Sequence, residues 1–155
     1  METPLRGHRA ESTATEVPRA LALYVFGCVA LGVSAVVGGI ALLRRPRSDP
    51  LGLPNEWLDG TPFPDYFVPG LTLFGVFGLG SVAVLYGIVR RRTWAWVAAV
   101  GLGVAQVGWI LAEVAFLRRL HPLHAIYGGL GAALVALATR PSVREYLRPV
   151  GERDA

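Results

Sequence analysis

The sequence predicts an all-α fold: a four-helix transmembrane bundle with an external proline-rich loop. Three observations predict it. Apolar residues make up 53% of the 155-residue chain against 17% charged, with a mean hydropathy of +0.46, too apolar for a water-soluble domain of this size. Four apolar stretches approach or exceed the length needed to cross about 30 Å of hydrocarbon at about 1.5 Å per helical residue. Prolines bracket these stretches and none interrupts one, with Pro18, Pro69, Pro122 and Pro141 at the boundaries.

Residues 1–19 mix Arg6, His8 and Arg9 with Glu2, Glu11 and Glu16 among small polar residues, the composition of a disordered tail. Residues 20–43 carry no charge and outrun the roughly 7–15-residue apolar core of a secretory signal, so a retained helix is expected. Cleavage near Val33-Ser34-Ala35 is the minor alternative. Residues 44–69 form the external loop, because six of the eleven prolines fall between Pro46 and Pro69 and exclude continuous regular structure. Within it, Asn55 is expected to cap a single turn through Glu56, Trp57 and Leu58 that Gly60 ends. The second helix, 70–89, opens at Pro69. Arg90, Arg91, Arg92 and Thr93 turn the chain into the third, 94–117, whose only ionisable group is Glu113 and whose only amide is Gln106. The fourth, 123–139, is the shortest, and residues 140–155 make a tail that begins as a surface helix.

All fifteen basic residues are arginine. Ten lie on the side of the two termini and the 90–92 turn, so the positive-inside rule puts both termini in the cytoplasm of a multi-pass plasma-membrane protein. The isoelectric point near 9.8 does not point to nucleic acid, since the arginines flank apolar stretches instead of gathering on one soluble face. The single cysteine, Cys28, excludes an intramolecular disulfide, a CxxC redox pair and a thiolate metal cage. No cofactor motif is present, and His121 with His124 lack a third metal ligand. Small residues at four-residue spacing (Ala30, Ser34, Gly38; Gly101, Ala105, and then Gly108, Ala112; Gly128, Ala132, Ala136) suggest close packing within one chain or between copies.

Two groups of residues carry possible chemistry. Glu113 lies on one stripe with Gln106, and the short connection brings it to the depth of Tyr127 with His124 nearer the edge, giving an intramembrane polar cluster of Glu113, Gln106, His124 and Tyr127. A proton or cation relay is the functional reading. The structural reading, which is preferred, has Glu113 about 6 Å from its helix end, snorkelling or paired with Arg118 or Arg119. In the loop, Trp57, Asp59, Asp65 and Tyr66 form a second candidate site, with Asp49 and Glu56 nearby. There the acids have an ordinary role as solvated counter-charges to Arg44, Arg45 and Arg47.

The stretch WLDGTPFPDYFVPGL from Trp57 to Leu71, followed by an apolar span, an arginine turn and Gly108-Trp109 in the next span, resembles a group of small four-span membrane proteins of high-GC, actinobacterial-type bacteria. The likeness covers roughly residues 57–137. It implies a four-helix membrane fold, brings no activity with it, and draws attention to Asp65, Tyr66, Pro69 and Gly70.

Three function classes follow. A non-enzymatic accessory or interaction protein, set in the bilayer as a homo-oligomer or in a larger complex, accounts for the packing rows and interface anchors without chemistry. A small oligomeric transporter or proton-coupled carrier would use Glu113 and requires a polar route to both faces. A lipid-modifying enzyme would require outer acids converging on a groove.

Overall fold

The computed structural model of the chain describes residues 17–47, 54–118 and 120–147. The expectations for residues 1–16 and 148–155, for Asp49 and for Arg119 lie outside the described residues. Among the described residues the protein is helical, with no strand. Helix α1 runs Arg19–Arg44, α2 Phe67–Thr72, α3 Gly80–Val89, α4 Ala95–Leu117, α5 Pro122–Ala138 and α6 Pro141–Leu147. A π-helical segment, Leu73–Leu79, joins α2 to α3 in one continuous rod, and a 3₁₀ turn spans Asn55–Leu58. Three rods are long and apolar enough to cross a membrane: α1, Phe67–Val89 and α4. A fourth is reached if α5 and α6, bent by 66° across Thr139 and Arg140, are taken as one span.

Outward faces of these rods are greasy. On α1, Leu23, Phe26, Val33 and Val37 are exposed, and on α4 Val97, Val104 and Leu111 are. Flanks this apolar suit hydrocarbon rather than water.

Packing separates into two ends. At the end carrying Arg19, the 90–94 turn and α6, called here the turn end, the core is dense. Tyr24, Cys28, Ala95, Ala99, Leu134 and Ala138 are almost fully buried. The Tyr24 hydroxyl donates to the Ala99 carbonyl at 2.9 Å, and Trp96 Nε1 donates to the Ala138 carbonyl at 3.0 Å. The tail helix α6 differs from the surface helix expected, because Val143 and Leu147, one turn apart, enter this core. Arg91 and Arg144 then lie over the Tyr146 and Trp96 rings, 4.5 and 5.0 Å from their centroids.

The opposite, loop end is tied by backbone and side-chain bonds around Tyr66. Its amide donates to the Pro46 carbonyl and its hydroxyl to the Pro54 carbonyl, holding these three positions of the proline-rich segment together. Asn55 does not cap the 3₁₀ turn as expected. Its amide donates to the Arg47 carbonyl instead, while Gly60, at φ +85°, takes the left-handed conformation that ends the segment. The second rod starts three residues before the expected Gly70. The Asp65 carboxylate accepts the Phe67 amide, and Pro69 falls in the first turn, where no intrahelical donor is needed.

Small residues do bring helices together, but on faces rotated from those read in the sequence. Ala30, Ala132 and Ala136 are exposed, and Gly101 and Gly108 face open space. The close seam runs through Gly39 of α1, where an added Cβ would sit 2.7 Å from the Phe74 amide nitrogen. A second seam sets Gly103 of α4 against Val135 and Gly131 of α5.

Candidate functional site

A cavity of about 330 Å³ lies at the loop end, bounded by α1, the second rod, α4 and α5 and covered by the proline-rich loop. Its size falls within the roughly 300–1,000 Å³ of small-molecule pockets, and its wall is almost wholly apolar. Helix α4 supplies the polar side. Gln106, Trp109, Ile110 and Glu113, spaced by three, four and seven residues, share the face that lines it.

Glu113 is held by its own helix first. One turn earlier, Trp109 Nε1 donates to Glu113 Oε1 at 2.9 Å. The second oxygen, Oε2, faces His124 Nε2 at 3.8 Å, an ion-pair distance beyond hydrogen-bond reach. The His124 ring is fixed by the start of α5. His121 is the N-cap and Pro122 the first helical residue; the His121 amide donates to His124 Nδ1 at 3.0 Å, and the Leu123 amide donates to His121 Nδ1 at 3.3 Å. Because Nδ1 of His124 accepts, the neutral ring carries its proton on Nε2, the nitrogen turned toward Glu113.

Deeper in the cavity wall, Gln106 is only 4% exposed, and its amide has no hydrogen-bond partner among the described residues. Its stem packs on Gly131 of α5, which leaves the amide head bordering the cavity. Tyr127 also lines the cavity, with its ring against the core, and makes no bond to Glu113. Phe77, from the π segment, sets its ring 6.2 Å from that of Trp109.

The two groups of residues singled out in the sequence meet at this one cavity, though not completely. Trp57 and Tyr66 cover it from the loop, with Trp57 6.4 Å from the His121 ring, while Gln106, Glu113, His124 and Tyr127 line its side. Asp59 is exposed and does not line the cavity. Asp65 is occupied, accepting the Phe67 amide and pairing with Arg47 Nε at 3.5 Å. The expected pairing of Glu113 with Arg118 is not formed; Arg118 ends α4 in the left-handed conformation at φ 48°. Trp109 is the member that the sequence reading did not place at the site. Its spacing of four from Glu113 was the available signal, since an indole N–H one turn away is a donor within reach of a half-buried carboxylate.

Fold and site define, among the described residues, a helical protein with several helices suited to a membrane and a lined cavity near one end. No family model, curated protein or solved structure matches the chain.

Proposed function

We propose that the protein is a non-enzymatic, multi-pass protein of the plasma membrane whose loop-end cavity receives a guest with an apolar body, an accessory or interaction role. The observation that carries this reading is the contrast between a lined, apolar cavity at one end and a close-packed core at the other. In this reading α5, prolonged by α6, makes the fourth crossing of a four-helix bundle. The arginine distribution turns the loop end outward and leaves both termini in the cytoplasm. The resemblance of residues 57–137 to small four-span proteins supports the same arrangement.

The carrier alternative needs a polar route from Glu113 to both faces. Toward the turn end, Cys28, Ala99, Leu134 and Ala138 fill that direction with apolar side chains, which favours a binding role over passage. The lipid-modifying alternative needs converging outer acids, whereas Asp59 faces solvent and Asp65 is engaged at a helix start.

The test is to purify the full chain from its native membrane into nanodiscs and weigh it by native mass spectrometry. A bound lipophilic species is expected with the wild type and is weakened in Ala112→Phe, which puts an aryl group into the cavity from its wall, while helicity by circular dichroism stays unchanged. A wild-type protein that emerges empty sinks the reading.

A further inference from the structure

We propose that the guest is a lipophilic cation, with its charge against Glu113 and its apolar body among the aromatic side chains of the cavity. The inference rests on reading the cavity as a guest site and names the chemistry of the guest.

Three observations converge on it. Among the described residues, Glu113 Oε2 accepts no hydrogen bond, and the nearest basic group to it is an imidazole nitrogen 3.8 Å away. A carboxylate at the edge of an apolar chamber gains most from a positive charge brought to that open oxygen. Gln106, one face-turn deeper and nearly buried, presents an amide without a partner, whose carbonyl adds a second acceptor on the same wall. Trp57, Phe63, Tyr66, Phe77 and Trp109 line the same cavity, and aromatic rings are the side chains that attract a diffuse cation.

The wall also argues against the opposite charge. None of the described residues that line it is an arginine, although the chain has fifteen. An anionic headgroup would meet Glu113 with only the two imidazoles to offset it. A fully apolar guest would leave both Gln106 and the open carboxylate oxygen unanswered. A cation with a hydrocarbon or aryl body satisfies the carboxylate, the amide carbonyl and the aromatic wall together.

The experiment uses the full chain in nanodiscs, with methyltriphenylphosphonium and its uncharged carbon analogue triphenylethane as probes. Binding is read from the fluorescence of Trp57 and Trp109, corrected against empty discs. Wild type is expected to bind the cation, and Glu113→Gln to weaken it at least about tenfold, or about 1.4 kcal/mol, while triphenylethane binds wild type and variant alike. Glutamine keeps the volume of Glu113 and an oxygen for Trp109, so the bundle stays folded, as circular dichroism will report. Equal cation binding by wild type and Glu113→Gln overturns the proposal and leaves the guest site standing. Failure of wild type to bind the cation also overturns it. If the protein then carries an apolar species from its native membrane, only the cation assignment falls; if it emerges empty, the guest site falls too.

Discussion

The turn end and the loop end are built from the same helices and packed by different means. At the turn end, side chains fill the space between α1, α4, α5 and α6, and the polar groups there are spent on bonds such as Tyr24 to Ala99 and Trp96 to Ala138. At the loop end, the helices are held apart around a cavity, and closure comes from a loop folded about Tyr66. A bundle in lipid gains no stability from expelling water between helices, so its stability must come from contact. One end supplies that contact, which frees the other to enclose space.

The largest expected effect tests this division directly. Leu134→Ala, at a fully buried position of the turn end, should cost about 2–5 kcal/mol. Ile110→Ala borders space that already exists and should cost less, at or below the bottom of that range of about 2 kcal/mol. Reversible unfolding in mixed micelles measures both, and equal losses would mean that the two ends are packed alike.

Tyr66→Phe sharpens the comparison from the loop side. Losing the bond to the Pro54 carbonyl should cost about 1 kcal/mol, and limited proteolysis should cut residues 54–66 several-fold faster. The core of the turn end should stay protected in the same digest. The smallest effect belongs to the outer face of α4. Gly101→Ala, at a position open to its surroundings, should change stability by no more than about 1 kcal/mol, with a gain in helix propensity as the favourable part. A large loss there in the membrane-embedded protein would reveal a second copy seated on that face.

How far the sequence anticipated this arrangement depended on what kind of signal each feature leaves. Arginine clusters and flanking prolines are unambiguous punctuation, so the long apolar rods were readable from them. The contact faces were not. When a helix is apolar all round, periodicity no longer says which side is inward, and Ala30 or Ala132 looks as fit for a seam as Gly39 or Gly103. At the site, the tight connection after Leu117 was enough to bring Glu113 near His124, because short loops force neighbouring helices antiparallel. Tyr127 lines the same cavity but packs its ring on the core, and Trp109 makes the bond to Glu113. The cavity left no trace in the sequence, since empty space is a property of how side chains meet.

Along the second rod, the π segment has a consequence for how the two ends tolerate change. In Leu73–Leu79 the chain winds more slowly than an α-helix, with the Gly80 amide reaching back five residues to the Gly75 carbonyl. A one-codon deletion in that stretch can be absorbed by rewinding it as ordinary helix. The rewinding would leave α2 and α3 in phase, whereas the same deletion in an ordinary helix would swivel its two halves by about 100°, the angular step of one helical residue. The contact of Phe77 with Trp109, made from inside the segment, would be remade, while Val84 and Ile88 kept their places. The segment is therefore the stretch of the second rod where a one-residue change of length can be taken up locally, with the packing of α3 kept.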